Sequence, residues 1–102
     1  MPYRTLSVRS IGVGSKELGS AILTLERDDP EPGVRGLKSW QFSGQTDRAG
    51  LLPEEAELTA TLDDGRELSG LAILTSHRID MAVTWVYRGT GPLHGTTDAD
   101  YD

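Results

Sequence analysis

The tetrapeptide Ala-Ile-Leu-Thr occurs twice in this chain, beginning at Ala21 and again at Ala72, each time shortly after Glu-Leu and three residues before an arginine. When the stretches around the two copies are aligned, the agreement spreads. Glu17 falls with Glu67, Leu18 with Leu68, Ala21 with Ala72, Ile22 with Ile73, Leu23 with Leu74, Thr24 with Thr75 and Arg27 with Arg78. Further on, Trp40 falls with Trp85 and Gly44 with Gly89, while Phe42 matches Tyr87 and Lys16 matches Arg66 in kind. The chain has 2 tryptophans, and both lie at the matched place. The alignment needs one extra residue, Leu71, in the second copy, and a longer acidic loop in the first. Two copies are too few for a solenoid or a propeller, so the expected product is a closed body with two-fold pseudo-symmetry.

Each copy spells three strands. "LSVRSI", "LGSAILTLER" and "LKSWQFSG" make the first unit, and "ELTATL", "LSGLAILTSHR" and "AVTWVYRG" the second. Leu58, Ala60 and Leu62 alternate with Thr59 and Thr61, the period-two signature of a half-buried strand. "DDGRE" carries the Asp-Gly pair of a tight hairpin. Ala21, Leu23 and Leu25 lie on one face of their strand and Ile22 on the other. A strand apolar on both faces is covered on both or meets another molecule. The fold class predicted is therefore all-β, a small antiparallel barrel or sandwich of about six strands. One β domain over residues 1–95 is expected, with unit one at 5–45 and unit two at 56–93. Pro53, Glu54, Glu55 and Ala56 resemble a helix start, with an early proline and acids near the positive end, so at most one short helix is expected near residues 51–57. The polar stretch 96–102 reads as an acidic flexible tail, dispensable for folding.

Composition narrows the chemistry. At 102 residues the chain suits one domain. It has no cysteine, which excludes disulfides, zinc–thiolate sites, iron–sulfur clusters and a thiol nucleophile. The net charge is -6, and the basic residues are scattered rather than gathered into a patch, so nucleic-acid binding through phosphates is not expected. No apolar run is long enough for a membrane span, and the N-terminus lacks the apolar core of a signal peptide. A cytoplasmic or virion-associated setting is expected.

Candidate reactive groups are few. His77, three residues before Asp80, could be oriented as a general base, but its match in the first unit is Glu26 on an ordinary strand end. His94 falls near the chain end. Asp28, Asp29 and Glu31 cluster in one loop without the acid-x-acid order of a calcium site, and the solvated reading is preferred. "GVGSKELG" lacks phosphate-loop spacing and precedes a strand, and there is no Gly-x-Ser-x-Gly elbow. No catalytic residue, metal or cofactor is expected, and the chain is not read as an enzyme. The aromatic faces remain: Trp40 with Phe42 and Trp85 with Tyr87 share strand faces and form a possible interface or ligand face. Core burial is the preferred reading for the tryptophans, with Tyr87 expected to be exposed.

The C-terminal third, through Gly65, Ser69, Gly70, Ala72, Ile73, Thr75, Ser76, Trp85, Tyr87, Gly89, Gly91 and Leu93, resembles the closing segment of siphophage-type tail tube proteins. That resemblance covers about 30 residues. It implies a β-sandwich or barrel subunit that builds a ring by pairing strands between neighbours. The function expected is thus a non-enzymatic β domain acting through protein–protein contacts, a self-assembling structural subunit of phage-tail-like type. The alternative is a small binding or regulatory module for a protein, peptide or small ligand. Self-association or another protein is the expected partner.

Overall fold

The computed structural model of the chain describes residues 3–14, 16–27, 38–46, 52–79, 83–97 and 100. Six strands run β1 (Tyr3–Val13), β2 (Lys16–Arg27), β3 (Lys38–Thr46), β4 (Glu55–Leu62), β5 (Glu67–Ile79) and β6 (Val83–Gly89). All pairings are antiparallel, and the strands close into a barrel in the ring order β1-β2-β3-β6-β5-β4. The fold is all-β as the alternation predicts, and of the two architectures expected, barrel or sandwich, it is the barrel.

The two predicted units are two successive three-stranded meanders, joined to each other through β1–β4 and β3–β6. Phe42 and Tyr87, matched in the sequence alignment, are direct cross-strand partners. Leu23 pairs with Phe42 in the first unit as Leu74 pairs with Tyr87 in the second. At these positions the registers agree with the sequence alignment of the two units.

The one-residue difference between the units has a local solution. In β5, Leu68, Gly70 and Ala72 face inward in regular alternation, which sends Leu71 outward. In β2, Leu18 and Ala21 both face inward but are three residues apart. The register with β1 shifts there, at Gly19, whose φ of 86° suits a residue without a side chain.

Turn chemistry closes the second hairpin as the sequence suggests. Gly65 takes a φ of 93°, its N–H donates to the Leu62 carbonyl at 2.9 Å, and the Leu62 N–H donates to the Arg66 carbonyl at 2.8 Å.

The short helix allowed for near 51–57 does not form among the described residues, 52–57. Residues 52–54 lead directly into β4, and the Leu74 N–H donates to the Glu54 carbonyl at 2.7 Å. A helix of one or two turns carries too few hydrogen bonds to offset its nucleation, and pairing with β5 offers the same backbone a full ladder.

The interior is filled. Trp85, Tyr87, Phe42, Ile11, Leu23, Leu25 and Leu58 are fully buried, and Trp40, Leu18, Leu62, Leu68, Val83 and Leu93 join them. Trp40 lies edge-on to Phe42 with centroids 5.7 Å apart, and Trp85 is tilted against Tyr87 at 6.0 Å. Each indole lies over a glycine of the other unit. A Cβ on Gly44 would sit 2.9 Å from the Trp85 ring, and one on Gly89 would strike the Trp40 ring. The glycines at these matched positions are thus space for the rings.

The chain beyond β6 is held to the barrel, including Asp100 of the stretch expected to be a tail. His94 exchanges two backbone hydrogen bonds with Ser69, continuing along β5 where β6 leaves off. Asp100 is buried and takes both Arg66 Nη1 and Nη2, with a shortest contact of 2.9 Å. The sequence reading missed this anchor because an isolated acid in a polar run carries no periodic signal.

Candidate functional site

The four aromatic residues offered as an interface or ligand face do not form one. Trp40, Phe42, Trp85 and Tyr87 all point into the barrel and are buried. The expectation of an exposed Tyr87 is corrected: it is 0% exposed, and its hydroxyl donates to the Pro53 carbonyl at 2.7 Å. Burial pushes the Tyr87 phenol above its ordinary pKa, since the phenolate would lose its hydration. The physical reason for the correction is closure. In an open sandwich one side of β6 can face a partner, whereas in a closed six-stranded ring the Trp-bearing side is the lumen, and these side chains fill it.

The two Trp environments differ in one important respect. The Trp40 Nε1 donates to the Gly91 carbonyl at 2.8 Å. The Trp85 Nε1 is buried without a hydrogen-bond partner. A bulge between Leu74 and Ser76 turns His77 toward the lumen side, where it is the cross-strand partner of Trp85. Its structural counterpart is therefore Leu25, the cross-strand partner of Trp40, and not Glu26 as the sequence alignment has it. His77 is half-buried, and its Nε2 has no partner. Asp80, the partner suggested by sequence, lies outside the described residues, as do Asp28, Asp29 and Glu31. Among the described residues no cluster of His, Asp and Glu is arranged to hold a metal ion.

Two features of the described outer surface bear on function. The first is a groove of about 720 Å³ across β1, β4 and β5. One cross-strand row forms its floor: Gly12, Thr59 and Ser69, continued by His94. Ser10, Thr61 and Glu67 lie beside that row, and Lys16 and Glu17 stand at one rim. Hydroxyls, two carboxylates, one amine and the His94 imidazole are among the groups that line it.

The second feature is apolar. Leu71 is 61% exposed, Ile73 37% and Ile22 51%. Leu71 and Ile73 stand on the outside of β5, and Ile22 on the outside of β2. These strands lie three places apart in the ring in either direction, on opposite flanks of the barrel. The surroundings of the two flanks are unlike. Ile22 sits between Ser7 and Ser43. Ile73 sits between Glu55 on β4 and Arg88 on β6, and Leu71 lies beside Glu57. Ile22 was visible in the sequence as the apolar residue on the wrong face of its strand. Leu71 was read only as an alignment insertion, and its outward direction follows from the regular alternation of β5.

Near the C-terminus, the Asp100 carboxyl is subject to opposing influences. Burial raises its pKa, but the Thr97 N–H at 2.7 Å, the Arg66 hydrogen bonds and the Arg66 charge outweigh burial and hold it below the ordinary carboxylate value.

No protein-family model, no curated protein and no solved structure matches the chain. The class is set by the fold alone: an antiparallel six-stranded closed β-barrel with an aromatic core.

Proposed function

We propose that this barrel is a non-enzymatic structural subunit that works by self-association through its outer faces, with a phage-tail-like assembly as its concrete setting. One observation carries the reading: large apolar side chains, Ile22 on one flank and Leu71 with Ile73 on the other, stand exposed on a barrel whose interior is already full. Scattered exposed apolar residues are ordinary. Here two of them occupy matched repeat positions on opposite flanks, and a subunit gripped on two flanks can extend into a ring or a tube. The closed barrel also changes how assembly would proceed. Its six strands close into a ring in which every strand has a neighbour on both sides, so no whole edge strand is left for the strand-to-strand pairing implied by the tail tube resemblance, and contact falls to the side faces.

The reading is tested by sedimentation over a wide concentration range, with electron microscopy of the concentrated protein. Concentration-dependent large species are expected, and Ile73→Ser should suppress them with little change in the thermal midpoint, because the side chain is on the surface. A monodisperse monomer at millimolar concentration would overturn the reading. The polar groove across β1, β4 and β5 favours a second reading, a module that binds a polar ligand. Under it the protein stays monomeric, and substitutions at Thr59 or Ser69 abolish binding.

A further inference from the structure

The flank that carries β5 has an ordered charge pattern. Reading across the strands at the level of Ile73, the outward residues are Glu55 on β4, Ile73 on β5 and Arg88 on β6. One row along, they are Glu57, then Leu71, then Thr90, whose N–H donates to the Leu71 carbonyl at 3.0 Å. The strip is therefore acidic along one side, apolar down the middle, and cationic or hydroxyl-bearing along the other. Glu55, Glu57, Leu71, Arg88 and Thr90 are all exposed.

Such a strip is complementary to itself in one orientation. Two copies laid face to face are related by a two-fold axis lying in the plane between them. If that axis runs parallel to β5, the acidic side of each copy falls on the cationic side of the other. Ile73 then meets Ile73 and Leu71 meets Leu71, with Glu55 opposite Arg88 of the second copy and Glu57 opposite Thr90. If the axis runs across the strands instead, β4 falls on β4, and Glu55 and Glu57 of both copies crowd together. Like charges brought together at a contact are strongly unfavourable, so electrostatics selects the first orientation. Packed sheets lie about 10 Å apart with strands within roughly 30° of each other, which brings the central pair and the flanking charges into reach.

We propose that the outer face of β5 is an isologous contact between two copies of this chain, with a two-fold axis parallel to β5 that seats Leu71 and Ile73 on their own counterparts and pairs Glu55 of each copy with Arg88 of the other. The proposal rests on the self-association reading and specifies which face and which orientation perform it. The β2 flank, where Ile22 is bordered by serines, has no such pattern and is not part of this contact.

Charge exchange provides the test. Glu55→Arg and Arg88→Glu are prepared separately and sized by analytical ultracentrifugation beside the unaltered protein. Each variant alone places like charges opposite each other twice, so its dimer should weaken by about tenfold or more. An equimolar mixture of the two restores both pairings between unlike copies, so the mixture should dimerise although neither component does. The double variant Glu55→Arg/Arg88→Glu should also recover, and rescue in the mixture shows that both single variants are folded. The unaltered dimer should weaken as salt rises. If the unaltered protein associates and both single variants associate equally well, this orientation is overturned while self-association stands. If the mixture fails to recover what the single variants lost, the Glu55–Arg88 pairing is overturned. If the unaltered protein never associates, the broader reading fails and this proposal with it.

Discussion

Trp40 and Trp85 hold matching places in the two halves of the barrel and have different surroundings. Both rings lie over a glycine of the opposite unit, and both face a luminal aromatic two residues on. The Trp40 indole N–H has the Gly91 carbonyl. The Trp85 N–H has no partner, and its cross-strand neighbour is a histidine where Trp40 has Leu25. The comparison separates two levels of specification. The repeated pattern of large ring and small glycine sets the shape of the core in both units. Polar satisfaction differs because it depends on what the chain does after each unit. After β6 the segment 91–97 folds back beside Trp40, with Leu93 buried and Asp100 clamped by Arg66.

The largest effects should come from deleting the rings. Trp40→Ala and Trp85→Ala should each cost about 3–5 kcal/mol, most of the stability of a domain that has on the order of 5–15 kcal/mol in all. Urea denaturation followed by circular dichroism measures this. A Trp85→Ala protein that stays as stable as the parent would break the equivalence of the two sites and remove Trp85 from the core.

A milder exchange distinguishes the two indole sites. Phenylalanine keeps most of the apolar volume and removes the indole N–H. At position 40 that exchange loses a hydrogen bond. At position 85 it removes a buried donor that has no partner. Trp40→Phe should therefore be the more destabilising of the two, by about 1 kcal/mol, the net worth of a typical hydrogen bond. Equal costs, or a larger cost at position 85, would show that the Trp85 N–H is satisfied in solution.

The smallest effect is read with acid. The folded Asp100 carboxyl titrates below its unfolded value, so its contribution is present above the ordinary carboxylate pKa and is lost as pH falls through the lower folded value. Arg66 is partly exposed to solvent, which limits the worth of the pair to about 1 kcal/mol or less. Acid should loosen the segment beside Trp40 before it disturbs Trp85. In the two single-tryptophan variants Trp40→Phe and Trp85→Phe, the remaining fluorescence should shift first in the protein that retains Trp40. Asp100→Asn should abolish that early shift, and its persistence would remove Asp100 from the anchor.

Local pattern identifies the strands and many of their inward residues, Leu58, Ala60 and Leu62 among them. Period-two alternation in Leu58, Ala60 and Leu62, the Asp-Gly turn and the repeated Ala-Ile-Leu-Thr are local signals, and local signals survive translation into strands because each needs only its near neighbours. The residues that the repeat matches, Leu23 with Leu74 and Phe42 with Tyr87, form equivalent cross-strand pairs in the structure. Other features depend on pairing between distant strands. Ring closure put Tyr87 in the core beside the tryptophans, for which core burial was the preferred expectation, since which side of a strand is inside depends on where the last strand pairs. The ladder offered by β5 made residues 55–57 strand despite their helix-like start, because long-range hydrogen bonds outweighed weak local preference. The bulge after Leu74 exchanged Glu26 for Leu25 as the true counterpart of His77, and the regular run before it turned Leu71 outward. A one-residue slip reverses every side chain beyond it, and no local pattern fixes where such a slip is absorbed. The candidate contact face on β5, with Glu55 and Arg88 on either side of Ile73, comes from three strands that are distant in the chain, so it became visible only once they were paired.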